Sequence, residues 1–155
     1  MAAFRRRFRR GHAGGVDLRL PSEERAVLRS IAPQLRELLE DPSDPALARL
    51  FPPAHPDDPE VQAQYQAMVG DELVASRRSA LAVFETTLDA DHLDAEAVEA
   101  WMSTINAARL VLGTRLDVGE EPPEDLDLDD PDAPAYVLYD YLSMLLSELL
   151  RELRR

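Results

Sequence analysis

The stretch Trp-Met-Ser-Thr-Ile-Asn-Ala-Ala-Arg-Leu-Val-Leu-Gly-Thr-Arg-Leu, residues 101–116, decides the fold class of this chain. Apolar side chains recur in it at intervals of four, three and four residues, at Trp101, Ile105, Ala108 and Leu112. That spacing puts them on one stripe of an α-helix, and a helix with such a stripe buries it against a core. The stretch therefore predicts a central helix and favours an all-α domain.

A second stripe of the same helix carries polar residues that packing does not require. Asn106, Arg109 and Gly113 follow one another at spacings of three and four, so they are neighbours on the helix surface. Something polar, or a closely approaching backbone, is expected to meet them. In one interpretation Arg109 is partly buried against an acid such as Asp140 or against helix-end carbonyls, and Asn106 satisfies backbone groups. In the other, Asn106 and Arg109 join Arg115 in a groove that binds a partner segment.

Other segments combine with this helix in a resemblance to a known family. They are the Arg-rich start, the Leu-Phe-Pro-Pro run at 50–53 and the run Tyr-Val-Leu-Tyr-Asp-Tyr-Leu at 136–142. With them the chain resembles, over nearly its whole length, an actinobacterial family catalogued as a domain of unknown function. One member is described as a transcriptional regulator of the oxidative-stress response, the AosR type, working with an alternative sigma factor. The resemblance implies a regulatory protein that binds a sigma factor or RNA polymerase.

The composition limits the kinds of site that the chain can build. Its 155 residues suffice for one domain, and 45% apolar with only 6% aromatic residues predicts a core of Leu, Ala and Val. The absence of Cys excludes a disulfide framework, a thiolate metal site and a cysteine nucleophile. Direct oxidant sensing normally uses a reactive thiol, so it is not expected here.

Charge is distributed unevenly along the chain. The net charge is −13, yet the first ten residues contain five arginines: Arg5, Arg6, Arg7, Arg9 and Arg10. Arginines interleaved with Phe are typical of a phosphate-binding arm, which makes these five candidate nucleic-acid contacts. The alternation at Val16, Leu18 and Leu20 instead predicts a hairpin of residues 4–10 against 16–20, so residues 1–20 form an Arg-rich hairpin or arm. Because the remainder is acidic, any DNA contact is expected only at residues 5–10.

Two helical patterns precede the central helix. The first runs from an N-cap at Ser22 to about residue 40, with a kink expected at Pro33. Its buried stripe is predicted to contain Leu28, Ile31, Leu35, Leu38 and Leu39. After a short helical turn at 46–50, a second pattern covers about 59–88, as one kinked helix or as two stacked ones that meet near Gly70. Its expected core positions are Val61, Tyr65, Met68, Leu73, Leu81, Phe84 and Leu88.

The last part of the chain combines an acidic segment with a broad apolar helix. Nine Asp and Glu with several Pro and Gly in residues 117–132 predict a mobile acidic loop over 117–133. It is interpreted as a solvated linker, as an intramolecular partner of the Arg arm, or as a docking surface for a basic partner. A helix is expected from Pro134, with core positions Val137, Leu138, Tyr141, Leu142, Leu145, Leu146, Leu149 and Leu153. A face this broad is compatible with a homodimer or with burial inside the monomer.

No catalytic or metal-binding motif can be identified. The three histidines, His12, His55 and His92, lie in separate predicted loops, and no two of them have metal-ligand spacing on one helical face. The acids at 57–60 after His55 form a candidate site for a hard cation, although Asp57 or Asp58 more simply caps the next helix. Neither a phosphate-binding glycine motif nor a nucleophile elbow occurs. The chain is therefore not predicted to be an enzyme, and no metal or cofactor is expected.

These observations lead to one overall prediction. We expect a single all-α domain, residues 1–155, of about five helices with a small N-terminal β-hairpin. Since no apolar run approaches about 20 residues and no signal peptide is evident, a cytoplasmic protein is expected, without membrane contact. The expected function is that of a noncatalytic regulatory or adaptor protein, by resemblance in stress-responsive transcription. The alternatives are a nucleic-acid binder that uses the Arg arm, and a small-ligand-binding protein or enzyme centred on Asn106 and Arg109.

Overall fold

The computed structural model describes residues 6–52, 54–117 and 129–155. Within these ranges lie four α-helices, which are α1 (Ser22–Leu39), α2 (Pro59–Thr86), α3 (Ala95–Arg115) and α4 (Ala133–Leu153). The strands are β1 (Phe8–Arg10), β2 (Val16–Leu18) and β3 (His92–Leu93). The expected all-α domain with an N-terminal hairpin is confirmed. The described residues contain four helices where about five were expected, because Pro59–Thr86 forms one helix and the expected helical turn at 46–50 is a 3-10 turn, Pro45–Leu47.

The hairpin predicted at the N-terminus is present and is extended by a third strand. β1 pairs antiparallel with β2, with Phe8 opposite Leu18. β3 then pairs antiparallel with the other edge of β2, with Val16 opposite Leu93. The sequence pattern did not predict β3, because two residues are too few to show an alternation. The sheet connects the N-terminus to the segment that leads into α3.

Helix α3 lies at the centre of the core, as the stretch 101–116 predicts. Trp101 is fully buried and meets Phe8 and Phe84 edge to face, with ring centroids 6.4 and 4.8 Å apart. Its indole N–H donates to the hydroxyl of Thr87 at 2.7 Å. One side chain therefore links the sheet, α2 and α3. The side chain of Asp94 caps α3 by accepting from the N–H of Ala97 at 2.8 Å.

Helix α1 begins one residue differently from the prediction. Pro21 occupies the N-cap position and Ser22 is the first helical residue, so no side chain caps this end. The predicted capping role of Ser22 is therefore wrong. The helix continues through Pro33 to Leu39. Arg25 fastens it to the rest of the core, because its guanidinium donates to the carbonyls of Leu20, Leu88 and Ala90 at 2.6–3.0 Å.

Helix α2 is one continuous helix through Gly70, so the two-helix alternative is wrong. Asp58 caps it by accepting from the N–H of Val61 at 3.2 Å. The predicted core positions Leu81, Phe84 and Leu88 are buried, but Val61, Tyr65, Met68 and Leu73 are exposed by 38, 38, 79 and 45%. With 28 residues against 21 in α3, α2 extends its first turns past the helix on which it packs. Apolar spacing alone could not reveal that α3 leaves those turns uncovered.

Helix α4 covers α3 along its length. Pro134 lies in its first turn, as predicted, and Leu142, Leu145 and Leu149 are fully buried. Val137 was expected in the core but is 53% exposed, because the apolar face of α4 is wider than its contact with α3. Of the predicted acidic loop 117–133, residues 118–128 lie outside the described residues.

Candidate functional site

Asn106 and Arg109 form a polar pair on the flank of α3. The Arg109 guanidinium donates to the side-chain oxygen of Asn106 at 3.0 Å, and it lies over the ring of Tyr139 in α4 at 6.0 Å from the centroid. The Arg109 Nε is buried and has no hydrogen-bond partner among the described residues. The expected acid partner Asp140 is exposed instead, so that expectation is wrong. Arg109 is near the ring of Tyr139, the residue before Asp140, at the outer limit of a cation–π contact.

Gly113 continues this polar stripe at a place where side chains crowd the helix. A Cβ added there would lie 2.9 Å from Arg49 Nη1 and 3.3 Å from Tyr139 Cε2. The expectation that a polar group meets the stripe is therefore confirmed by Arg49. The groups that approach Gly113 most closely are side chains, and the expected close backbone is not among them.

Arg115 lies on a different face of α3 from this pair. It is exposed in the last turn of the helix and lines an open cleft between α1, α3 and α4. The structure thus brings Asn106 and Arg109 together but separates Arg115 from them. The prediction that all three share one groove is not met, because residues 106 and 115 differ by half a turn in helical phase.

The cleft beside Arg115, here called the docking groove, is open to solvent and has a cavity volume of about 80 Å³. Its floor is apolar, and its rim carries the polar side chains of Ser30, Gln34 and Arg115. The floor consists of Ile31, Leu35, Leu38, Ala108, Val111, Leu112 and Leu138. Several of these side chains are only partly buried, so the groove presents apolar surface to solvent.

The groove exists because α1 carries two apolar stripes side by side. Leu28, Ala32 and Leu39 are buried in the core. Ile31 and Leu38 lie on the adjoining stripe and pack only partly against the core. On the α3 wall the small side chain of Ala108 leaves space at this point. The helical spacing predicts Ile31 and Leu38 in the core, since a groove wall and a core residue have the same side-chain chemistry. The unusual width of the α1 stripe was the only available signal.

One end of the groove is acidic. There Gln34 and Leu38 continue into a polar recess that is also lined by Arg115 and by three carboxylates, those of Glu37, Asp41 and Asp44. Two of the carboxylates are held in place locally: Asp41 accepts from the Ser43 hydroxyl at 2.5 Å, and Asp44 accepts from the Ala46 N–H at 2.8 Å. Three acids therefore face one guanidinium at this end.

The Arg-rich strand, which is β1 with Arg6 and Arg7 directly before it, is held in place by acidic residues of α1 and α4. Arg7 donates to Glu24 at 2.7 Å and to Glu148 at 3.1 Å, and its side chain is only 21% exposed. Burial disfavours its charge, but the hydrogen bond and ion pairs prevail and raise the pKa of Arg7. Tyr141 lies beside this cluster, and burial, with the nearby Glu24 carboxylate, raises the pKa of its hydroxyl.

The other predicted nucleic-acid contacts are divided between paired and exposed positions. Arg6 lies 3.8 Å from the buried carboxylate of Glu152, which also accepts from the backbone N–H of Arg10 at 3.3 Å. The side chains of Arg9 and Arg10 are exposed. Arg5 lies outside the described residues. Glu152 thus covers part of the free edge of β1, where another strand would otherwise pair.

The described residues offer neither a metal cluster nor a membrane-spanning helix. In the described ranges no three His, Asp or Glu side chains are grouped closely enough to hold a metal ion. The candidate cation segment at 55–60 instead supplies the cap of α2, and His55 contacts Tyr65 edge to face at 6.0 Å. None of the helices in the described residues has the length and apolar character needed to cross a bilayer.

Comparison with known proteins identifies the family. Residues 1–153 match the family model described as domain of unknown function DUF2017. The chain belongs to this family. No curated protein and no solved structure matches the chain. As a member of DUF2017 the protein carries its docking groove and its Arg-rich strand within the matched region, because both lie between residues 6 and 153.

Proposed function

We propose that this DUF2017 protein is a noncatalytic regulatory or adaptor protein that binds a helical segment of a protein partner in the docking groove. The observation that supports the proposal is the groove itself, an apolar floor open to solvent where three helices meet. Exposed apolar surface with a polar rim is typical of protein interaction sites. The fixed helices on either side present this surface without a prior rearrangement.

The spacing of the floor residues suits a helix as the occupant. Ile31, Leu35 and Leu38 recur at i, i+4 and i+7 along α1, over about 10 Å of helix. A partner helix of two or three turns can place its own anchors between such a row and the α3 wall. Recognition of this kind needs neither a cofactor nor a catalytic group.

Asn106 and Arg109 support the groove indirectly in this proposal. The Arg109 guanidinium packs on Tyr139, and the preceding residue of α4, Leu138, forms part of the groove floor. These two polar residues therefore position α4, whereas Arg115 on the rim contacts the partner. This division replaces a ligand site centred on Asn106 and Arg109.

The regulatory part of the proposal rests on the resemblance to AosR-type regulators. It suggests a sigma factor or RNA polymerase as the partner, a role in stress-responsive transcription and a location in the cytoplasm. The missing thiols argue for regulation through protein contacts rather than through direct oxidant sensing.

A pull-down tests the proposal. The tagged protein is incubated with nuclease-treated lysate of its host, and bound proteins are identified by mass spectrometry. We expect a sigma factor or RNA polymerase subunit with the wild type, and its loss with Ile31→Gln and with Leu38→Gln. Val27→Gln is the matched control, since Val27 lies on the same helix, is 41% exposed and does not line the groove.

Two results would contradict the proposal. Partners that bind both groove variants as well as the wild type would exclude the groove as the binding surface. A wild-type protein that recovers no partner, although circular dichroism shows it folded, would count against an adaptor role.

Direct nucleic-acid binding is the less favoured alternative. Arg6 and Arg7 are paired with Glu152 and with Glu24 and Glu148, respectively, and the net charge of −13 repels phosphate. Arg9 and Arg10 are the exposed positions through which it would act. Binding of DNA that is lost in the Arg9→Ala/Arg10→Ala variant would revive this alternative.

A homodimer through α4 is a second use of exposed apolar surface. Val137 and Met144 lie on one face of α4, seven residues apart, and are 53 and 37% exposed. Light scattering of the wild type and of Val137→Gln tests it, because a dimer through this face should dissociate in the variant. A wild-type monomer would remove the alternative.

A further inference from the structure

We infer that the segment recognised by the docking groove is a basic amphipathic helix, with its Lys or Arg residues at the end of the helix that lies beside Asp41. This inference rests on the function proposed above, and it specifies the chemistry of the partner. It follows from the charges around the groove, since the apolar floor alone would accept an amphipathic helix of either sign.

The acidic end of the groove carries more negative than positive charge. Glu37, Asp41 and Asp44 line the recess that continues the groove, and Arg115 is the cation beside them. Glu37 and Asp41 are exposed and Asp44 is partly exposed, so their carboxylates can be reached by a partner side chain. Three acids against one guanidinium leave this end with an excess of negative charge.

The C-terminal ends of α1 and α3 also lie at this end of the groove. α1 ends at Leu39, beside the recess, and α3 ends at Arg115 itself. The carbonyl end of a helix carries the equivalent of about half a negative charge. Arginines offset both ends, because Arg78 donates to the carbonyl of Leu39 at 3.2 Å and Arg115 lies in the last turn of α3. The negative potential at this end therefore comes mainly from the three exposed or partly exposed carboxylates.

The apolar floor of the groove sets the direction in which a partner helix lies. Ile31, Leu35 and Leu38 form a row that leads along α1 toward Asp41. A helix whose apolar anchors follow this row brings the residues after its last anchor to the carboxylates. A Lys or Arg in that position keeps its charged end in solvent while its aliphatic stem covers Leu38.

Arg115 then acts as a specificity residue whose effect has a definite sign. Its guanidinium repels the basic end of the partner and attracts an acidic one. We therefore expect Arg115→Ala to tighten the binding of a basic helix and to weaken that of an acidic helix. A residue that only stabilises the end of α3 would change both in the same direction.

The experiment uses two fluorescent synthetic helices with the same Leu anchors, which differ in carrying Lys or Glu residues after the last anchor. Anisotropy titrations against the full-length protein at low salt should show about tenfold tighter binding of the Lys peptide, since each exposed charge contact contributes a fraction of that free energy. The preference should shrink as salt rises. It should also disappear in a variant with neutralised recess acids, which combines Glu37→Gln, Asp41→Asn and Asp44→Asn.

A matched variant separates the local charge from the net charge. It removes the same number of acids from exposed helical positions away from the recess, through Asp71→Asn, Glu99→Gln and Asp140→Asn. It should keep the preference for the Lys peptide. A preference lost equally in both triple variants would overturn the inference, because net charge alone would then explain it.

The remaining outcomes distinguish this inference from the proposed function. If both peptides bind equally and Ile31→Gln weakens both, the groove binds helices but does not select a basic one, and only the inference fails. If neither peptide binds the folded wild type, docking in the groove fails as well. Tighter binding of the Glu peptide would overturn the inference directly.

Discussion

At the scale of single residues, the polar stripe of α3 shows how one position can depend on its neighbours. Gly113 and Gly70 are both glycines inside helices, and the sequence does not distinguish them. Gly113 is buried against Arg49 and Tyr139, whereas a Cβ at Gly70 would meet nothing within 4 Å. The neighbours of Gly113 therefore restrict the size of the residue at that position, whereas Gly70 has no such restriction.

We predict that substitution by alanine has a more favourable effect on stability at Gly70 than at Gly113. Gly70→Ala should raise the free energy of unfolding by roughly 0.5–1 kcal/mol, because alanine reduces the entropy that the helix costs on folding. Gly113→Ala should raise the free energy of unfolding by less, or should lower it, because Arg49 and Tyr139 must move. Urea denaturation followed by circular dichroism compares them. Equal gains at both positions would show that the contacts at Gly113 relax freely.

At the scale of elements, the N-terminal strand is held by charge as well as by packing. Arg7 joins β1 to α1 through Glu24 and to α4 through Glu148. In the same sheet, Oδ1 of Asp17 in β2 lies 2.9 Å from Nδ1 of His92 in β3. This contact links the hairpin to the strand before α3. Such pairs explain why a strand of only three residues has a definite position.

Arg7→Ala should lower the free energy of unfolding by about 1–3 kcal/mol, because it leaves two carboxylates without their shared cation. Arg9→Ala removes the same charge from an exposed position of β1 and should change stability by less than about 0.5 kcal/mol. Chemical denaturation of both variants at neutral pH measures the difference. Similar effects of the two substitutions would mean that the Arg7 ion pairs contribute nothing.

The contact between Asp17 and His92 leads to a prediction about the pKa of Asp17. The hydrogen bond from His92 lowers the pKa of Asp17 below its ordinary value of 3.8. A lowered folded-state pKa stabilises the fold at pH values above the unfolded-state pKa, and this contribution is lost as the pH falls through the folded-state pKa. Carboxyl NMR should show that His92→Ala raises the pKa of Asp17, whereas His12→Ala in the exposed hairpin loop leaves it unchanged. A pKa unaffected by His92→Ala would rule out the interaction in solution.

At the scale of the whole molecule, Phe8 anchors the strand of the Arg-rich segment in the core. Phe8 is 1% exposed and packs against Trp101, so the first strand cannot leave without opening the centre of the protein. An arm that extends freely to reach DNA is difficult to combine with this arrangement. Removal of the segment therefore tests folding before it tests binding.

Deletion of residues 1–10 should lower the melting temperature strongly, because loss of a buried Phe alone costs about 3–5 kcal/mol. The full-length Arg9→Ala/Arg10→Ala variant removes exposed charge from the same strand and should melt close to the wild type. Thermal melts by circular dichroism make the comparison. A deletion variant that melts with the wild type would contradict the structural role of β1.

The sequence by itself determined the helical class, the hairpin, a cap of α2 at Asp57 or Asp58 and the central position of α3. Each depends on local spacing or on side-chain bonds to nearby backbone, which a single stretch of chain contains. Only the tertiary structure decided which apolar stripes are covered. Ile31 and Leu38 border an open groove and Val61 and Met68 face solvent, because burial depends on which neighbour lies opposite, and local spacing does not encode that neighbour.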